Sequence, residues 1–164
     1  MFTTVFLALF IVITIYGVYN YHYPNAFSRF VEVQEDIDLD SYTGLWYDVY
    51  SLPVRFQDGL TNVTANYTLD NDSVIVYNQG FREDGSVDSI VGKARVIGDG
   101  RLKVSFFPLI WSDYNILFTD YNYAVVGGGS PNQLWILSRT PDIENNKLEE
   151  LLSIAEEQGY RVVS

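Results

Sequence analysis

Between Leu45 and Ser138 the chain falls into eight short runs that alternate apolar with polar residues, each closed by a turn signal. Alternation at period two marks strands with one buried face. The runs are Leu45 to Leu52, Leu60 to Leu69, Ser73 to Phe81, Ser89 to Ile97, Arg101 to Phe107, Tyr114 to Thr119, Tyr123 to Val126 and Gln133 to Ser138. Asp70-Asn71-Asp72, Glu83-Asp84-Gly85 and Gly98-Asp99-Gly100 are turns of hairpin length. Sequential antiparallel strands leave two unpaired edges, and closing the sheet removes both. The predicted fold is therefore all-β, an eight-stranded antiparallel up-and-down barrel. A two-sheet sandwich is the alternative, but hairpin connections favour the meander. At this strand number the interior holds one small ligand or packs solid.

One helix closes the chain, over about residues 141–158. Thr140 is the expected N-cap, Pro141 fits the first helical position, and Asp142 and Glu144 complement the positive end of the dipole. Leu148, Leu151, Leu152 and Ala155 form one apolar stripe, and Gly159 is the expected stop. A helix with a single apolar stripe belongs on the outside of the barrel.

Residues 1–24 are a separate object, a hydrophobic helix ahead of the barrel. Val5 to Val18 is apolar apart from Thr14, and no charged side chain precedes Arg29. A spanning helix needs ~20 apolar residues and a signal-peptide core ~7–15. Counted from Phe2 to Tyr21 the segment reaches spanning length, with Tyr19, Tyr21 and Tyr23 at the interface. No Lys or Arg precedes it and no A-x-A site follows. It reads as a signal anchor or a cleaved signal peptide, and either one puts the barrel outside the cytosol. Residues 25–39 read as an acidic linker and 40–164 as the barrel with its helix.

Composition removes several function classes. With 21 Asp and Glu against 10 Lys and Arg, the formal charge is −11, so nucleic acid is not an expected partner. There is no cysteine, hence no disulfide, thiolate metal site or lipid-modified cysteine. The single histidine, His22, lies ahead of the barrel. No metal site, cofactor or catalytic constellation is read from the sequence, and the oligomeric state is not fixed by it.

Three stretches carry a family resemblance. They are Asp40-Ser41-Tyr42-Thr43-Gly44-Leu45-Trp46-Tyr47, continued by Arg55-Phe56-Gln57-Asp58-Gly59-Leu60; Thr119-Asp120-Tyr121; and Leu134-Trp135-Ile136-Leu137-Ser138-Arg139-Thr140-Pro141. Taken in this order at barrel spacing, they resemble the lipocalins, closest to the branch of the bacterial outer-membrane lipocalins and apolipoprotein D. The resemblance covers about residues 38–160. It implies a calyx, with Trp46 plugging its closed end beside Gly44 and Arg139 lying across the indole. The family usually adds a ninth strand after the helix. Here that strand is expected to be clipped or missing, which would leave an edge beside the first strand open.

Side chains alternate along a strand. If Trp46 points inward, Asp48 and Tyr50 share its face, and if Arg139 reaches Trp46, Leu137 and Trp135 face inward too. Val63, Ala65 and Tyr67, then Gly92, Ala94 and Val96, then Leu102, Val104 and Phe106 are the small or apolar faces of their strands. The expected ligand-binding set is Tyr50, Val63, Ala65, Tyr67, Ala94, Val96, Val104, Phe106, Trp135 and Leu137. Asp48 is a possible polar group of the calyx, which needs a partner or a raised pKa.

The function this implies is the binding and carriage of a small hydrophobic ligand, such as a fatty acid, lysophospholipid or similar lipid. An enzyme is not expected: the synthase type of lipocalin needs a calyx cysteine and the haem type a barrel histidine. The alternative is a membrane-tethered interaction scaffold with a filled barrel. Phe107-Pro108-Leu109-Ile110-Trp111 is apolar for a connection, and either folds over the calyx mouth or forms a rim that touches membrane or a partner. Asn62-Val63-Thr64, Asn66-Tyr67-Thr68 and Asn71-Asp72-Ser73 are N-glycosylation acceptor sequences, with Asn62 and Asn66 on an outer face and Asn71 in a turn.

Overall fold

The computed structural model describes residues 25–53 and 57–162; the hydrophobic segment 1–24 lies outside the described residues. Eight strands form one closed antiparallel barrel in sequence order: β1 (Gly44–Ser51), β2 (Thr61–Asp70), β3 (Ser73–Phe81), β4 (Val87–Gly98), β5 (Arg101–Phe107), β6 (Ile110–Thr119), β7 (Tyr123–Gly127) and β8 (Leu134–Ser138). Closure comes from β1, which pairs with β2 on one side and β8 on the other, so it has no open edge. Strands run alternately up and down. The floor therefore gathers the start of β1, the hairpins β2–β3 and β4–β5, and the end of β8. The mouth gathers the hairpins β3–β4 and β5–β6 and the loop β7–β8.

The sequence expectation for β6 needs correction. It starts at Ile110, not Tyr114, because Phe107 and Ile110 pair directly across a turn of only Pro108 and Leu109. The apolar tip thus becomes a tight hairpin that stands clear of the mouth. Leu109 is 86% exposed, Phe107 and Ile110 are exposed too, and none of the three lines the interior.

Among the described residues a 3-10 turn (Ser28–Phe30) and two α-helices complete the fold: α1 (Leu39–Tyr42), whose Tyr42 is buried at the floor, and α2 (Asn145–Glu157) on the outside. Helix α2 starts later than the sequence suggests. Thr140 does not cap it: its hydroxyl donates to the Asp142 carbonyl and its N–H bonds to Ser138 Oγ, which holds residues 138–142 in a turn. The first helical bond is Leu148 N–H to the Glu144 carbonyl, so Asp142 precedes the helix and Glu144 is the N-cap residue. The stop is as expected. Gly159 takes φ 83°, Tyr160 N–H reaches the Ala155 carbonyl and Gly159 N–H the Glu156 carbonyl, a Schellman closure. Leu151 and Ala155 are fully buried against Leu117, Val125, Leu134 and Ile136, the outward side chains of β6 to β8.

The acidic stretch before the barrel is packed against it. From Asn25 near the mouth to Asp38 at the floor, it straps the outer wall. Gln34 N–H bonds the Ile116 carbonyl, Thr119 N–H bonds Gln34 Oε1, and Asp38 N–H bonds the Tyr121 hydroxyl. Gly100, at φ 62°, lets the strap come close, since a Cβ there would collide with the Gln34 carbonyl and Val33. Under the strap lies an ion pair, Lys103 with Asp113, the lysine only 1% exposed. Asp113 Oδ2 also accepts from Asn25 N–H and Ser28 Oγ, and Arg101 donates to the Ser28 and Val31 carbonyls.

Candidate functional site

The closed end is built around Trp46, which has no exposed surface. Its indole N–H donates to the Tyr42 carbonyl at 2.7 Å, which fixes the ring against α1. The Arg139 guanidinium carbon stands 3.7 Å from the ring centroid. Its nitrogens donate to five carbonyls, those of Tyr121, Leu45, Ser41, Tyr42 and Thr43. One side chain thus satisfies the orphan acceptors of α1, the start of β1 and the turn before β7. Gly44 is required by its φ of 93°, a conformation that L side chains rarely adopt.

Above this plug, three tyrosines share a hydroxyl chain. Tyr114 OH lies 2.7 Å from Tyr42 OH and 3.0 Å from Tyr67 OH. Burial pushes the Tyr67 phenol up to about 12 and the other two well above their usual range, so all three stay neutral.

Over the tyrosines opens a cavity of about 140 Å³. Its walls are mostly aliphatic and aromatic: Val63, Ala65, Val74, Val76, Ala94, Leu102, Val104, Phe106, Val126, Trp135 and Leu137. Gly92 is small for a reason, since a Cβ on it would strike the Phe106 ring, which folds inward across β4. A space of this size takes a ring-sized body or a length of acyl chain, and the open mouth lets a longer molecule project.

Of the ten side chains expected to contact ligand, eight line the cavity: Val63, Ala65, Tyr67, Ala94, Val104, Phe106, Trp135 and Leu137. Tyr50 does not. The ladder between β1 and β8 shifts register between Asp48 and Tyr50, so Tyr50 pairs with Ile136 and joins the outer cluster under α2. A bulge of one residue reverses the parity on which its inward placement depends. Val96 also falls outside. It pairs with Leu102 but lies next to the β4–β5 hairpin at the floor, 47% exposed. Asn62, Asn66 and Asn71 are all exposed. Tyr42, Val74, Val76, Asn78, Tyr114 and Val126 line the cavity without having been singled out, although Val74 and Val76 follow from the same alternation.

The polar group of the calyx is Asp48. Gln57, descending from the β1–β2 connection, donates to its Oδ2 at 3.1 Å and accepts from the Trp135 indole at 3.4 Å. Burial pushes the carboxyl up to about 6, against the lowering influence of Ser51 and Gln57 beside it. The native state therefore holds this proton at pH values where the unfolded chain has lost it. Stability from this group is greatest below pH 4, falls between pH 4 and 6, and is flat above. Asp48→Asn should raise stability at pH 8 by about 3 kcal/mol, with the gap from wild type opening between pH 4 and 6. Urea denaturation of both proteins across that range checks it; a gap that does not change with pH would show Asp48 to be solvated.

A family model described as a lipocalin-like domain matches residues 37–164. The outer membrane lipoprotein Blc of Vibrio cholerae is 38% identical over 138 residues, covering 79% of this chain and 81% of its own length. Apolipoprotein D of Mus musculus is 34% identical over 143 residues, covering 79% and 75%. Among solved structures, insecticyanin from the tobacco hornworm Manduca sexta superposes with a TM-score of 0.63 at 23% identity, over 82% of this chain and 78% of that one. At that identity the likeness concerns the fold alone.

Proposed function

Because the chain belongs to the lipocalin family, we propose that its barrel binds and carries a small hydrophobic ligand of the lipid class, such as a fatty acid, a lysophospholipid or a similar molecule. The observation that supports this most directly is the cavity itself, apolar on nearly every wall and open at one end. An apolar body that enters it leaves water at ~25 cal/mol per Å² buried, which is enough for micromolar affinity after association costs.

We assign the tether to segment 1–24, since the sequence has no cysteine to carry a lipid. The strap supports this reading. Asn25 is held beside Asp113 near the mouth, on the same end as the exposed Phe107–Ile110 tip. A membrane reached from Asn25 would lie next to the rim and serve as the source or destination of the ligand. The names of the relatives, an outer-membrane lipoprotein and an apolipoprotein, agree with a barrel outside the cytosol.

Trp135 lines the cavity and reports on its contents. Titrating the chain with fatty acid, lysophospholipid and sterol probes should give saturable changes in its fluorescence, and these should be lost in Ala94→Trp, whose indole fills the cavity. If a folded wild-type chain binds none of the probes below ~100 μM, the carrier reading fails and the display scaffold replaces it.

A further inference from the structure

The cavity is apolar but not featureless. Asp48 Oδ1 on β1 and Asn78 Oδ1 on β3 are buried in its wall without a hydrogen-bond partner among the described residues. The second Asp48 oxygen is already occupied by Gln57. Both free atoms are acceptors. Among the described residues no Lys, Arg or His lines the cavity.

Three kinds of occupant fare differently at this height. A purely apolar chain expels water and leaves both acceptors unpaired, each at a cost of ~1–3 kcal/mol. A carboxylate meets another carboxylate and an amide oxygen in a low-dielectric pocket, where like charges repel. A hydroxyl or an ammonium supplies the missing donor. Asp48 lies midway along β1, so a ligand that enters polar end first brings that end to it.

We propose that the calyx selects amphiphiles whose polar end is a hydrogen-bond donor, a hydroxyl or an ammonium that pairs with the free acceptor of Asp48 or of Asn78, and discriminates against free carboxylates. This rests on the reading of the barrel as a lipid carrier and narrows it: of the lipids named there, free fatty acids rank below those whose polar end donates a hydrogen bond. With the Asp48 carboxyl pushed up only to about 6, it is ionised at pH 7.5 and is then its strongest as an acceptor.

Competition within one chain length tests the choice of head. The full chain in a non-ionic detergent is mixed at pH 7.5 with equimolar dodecanol, dodecylamine and dodecanoate, and native mass spectrometry reads the one-to-one adducts. The alcohol and amine adducts should exceed the dodecanoate adduct by about tenfold, equivalent to roughly 1.4 kcal/mol. Asp48→Asn is isosteric and relieves the charge, so the share of dodecanoate should rise about fivefold while the amine loses its lead. Equal or greater occupancy by dodecanoate in wild type, or a ratio that Asp48→Asn leaves unchanged, would overturn the selection but leave the carrier reading intact. Absence of every adduct, or adducts that survive in Ala94→Trp and in the milder block Val104→Phe, would overturn the carrier reading and this inference with it.

Discussion

Trp46→Ala is expected to lower the stability of the folded chain by about 3–5 kcal/mol, the usual range for removing a large, fully buried aromatic. The cavity left behind cannot collapse readily, because Arg139 above the ring is tied to five carbonyls and α1 below it is tied to Arg139. Arg139→Ala should cost less, about 2–3 kcal/mol: it orphans those carbonyls, but they lie near enough to solvent for water to replace part of the loss. Arg139→Lys should recover little, since one ammonium cannot span five acceptors spread over three segments. Denaturant midpoints of the three variants check the order. A Trp46→Ala protein that unfolds like wild type would remove the ring from any part in sealing the floor.

Asp113→Ala should be as damaging, also about 3–5 kcal/mol, because it leaves the Lys103 ammonium buried beneath the strap with no counter-charge. The paired change Lys103→Met with Asp113→Leu removes both charges and should regain most of that loss, as buried ion pairs exchanged for packed apolar groups often do. Recovery should stop short of wild type. Asp113 also holds Asn25 N–H and Ser28 Oγ, so the double variant still loses the attachment of the strap near the mouth. Urea unfolding of single and double variants separates these contributions. A double variant no better than Asp113→Ala would mean that anchoring the strap, and not the buried charge, dominates.

The barrel was readable because its strands alternate and its turns use Asn, Asp and Gly where the backbone needs them. The plug was readable only through the family resemblance, since neither Trp46 nor Arg139 stands out on composition. Alternation failed where the backbone departs from period two. Tyr50 follows a bulge, and no single residue in Asp48-Val49-Tyr50 announces it. It failed again at Val96, because alternation gives the face of a strand and not the height along the barrel. Lys103 alternates with Leu102 and Val104 and so faces outward, yet it is buried. What buries it is the strap, whose acidic composition reads as a linker and whose contacts lie up to 126 residues away in sequence. Gln57 was hidden for the same reason: a loop amide becomes part of the calyx only when the connection folds over the mouth.

The joining of β1 to β8 has a consequence for how the chain reaches this state. Each hairpin from β1 to β8 forms between neighbours in sequence, but closure and the Arg139 clasp bring together positions 84 to 98 apart, from Ser51 with Trp135 (135−51=84) to Ser41 with Arg139. Contacts of such long range are made after loop entropy has been lost and are typical of chains that fold in milliseconds to seconds. The floor is then sealed late, after the meander has assembled. Interactions absent from the transition state act on the rate of unfolding, and the clasp is therefore a kinetic latch: it slows opening of the finished barrel and does little to hasten its assembly.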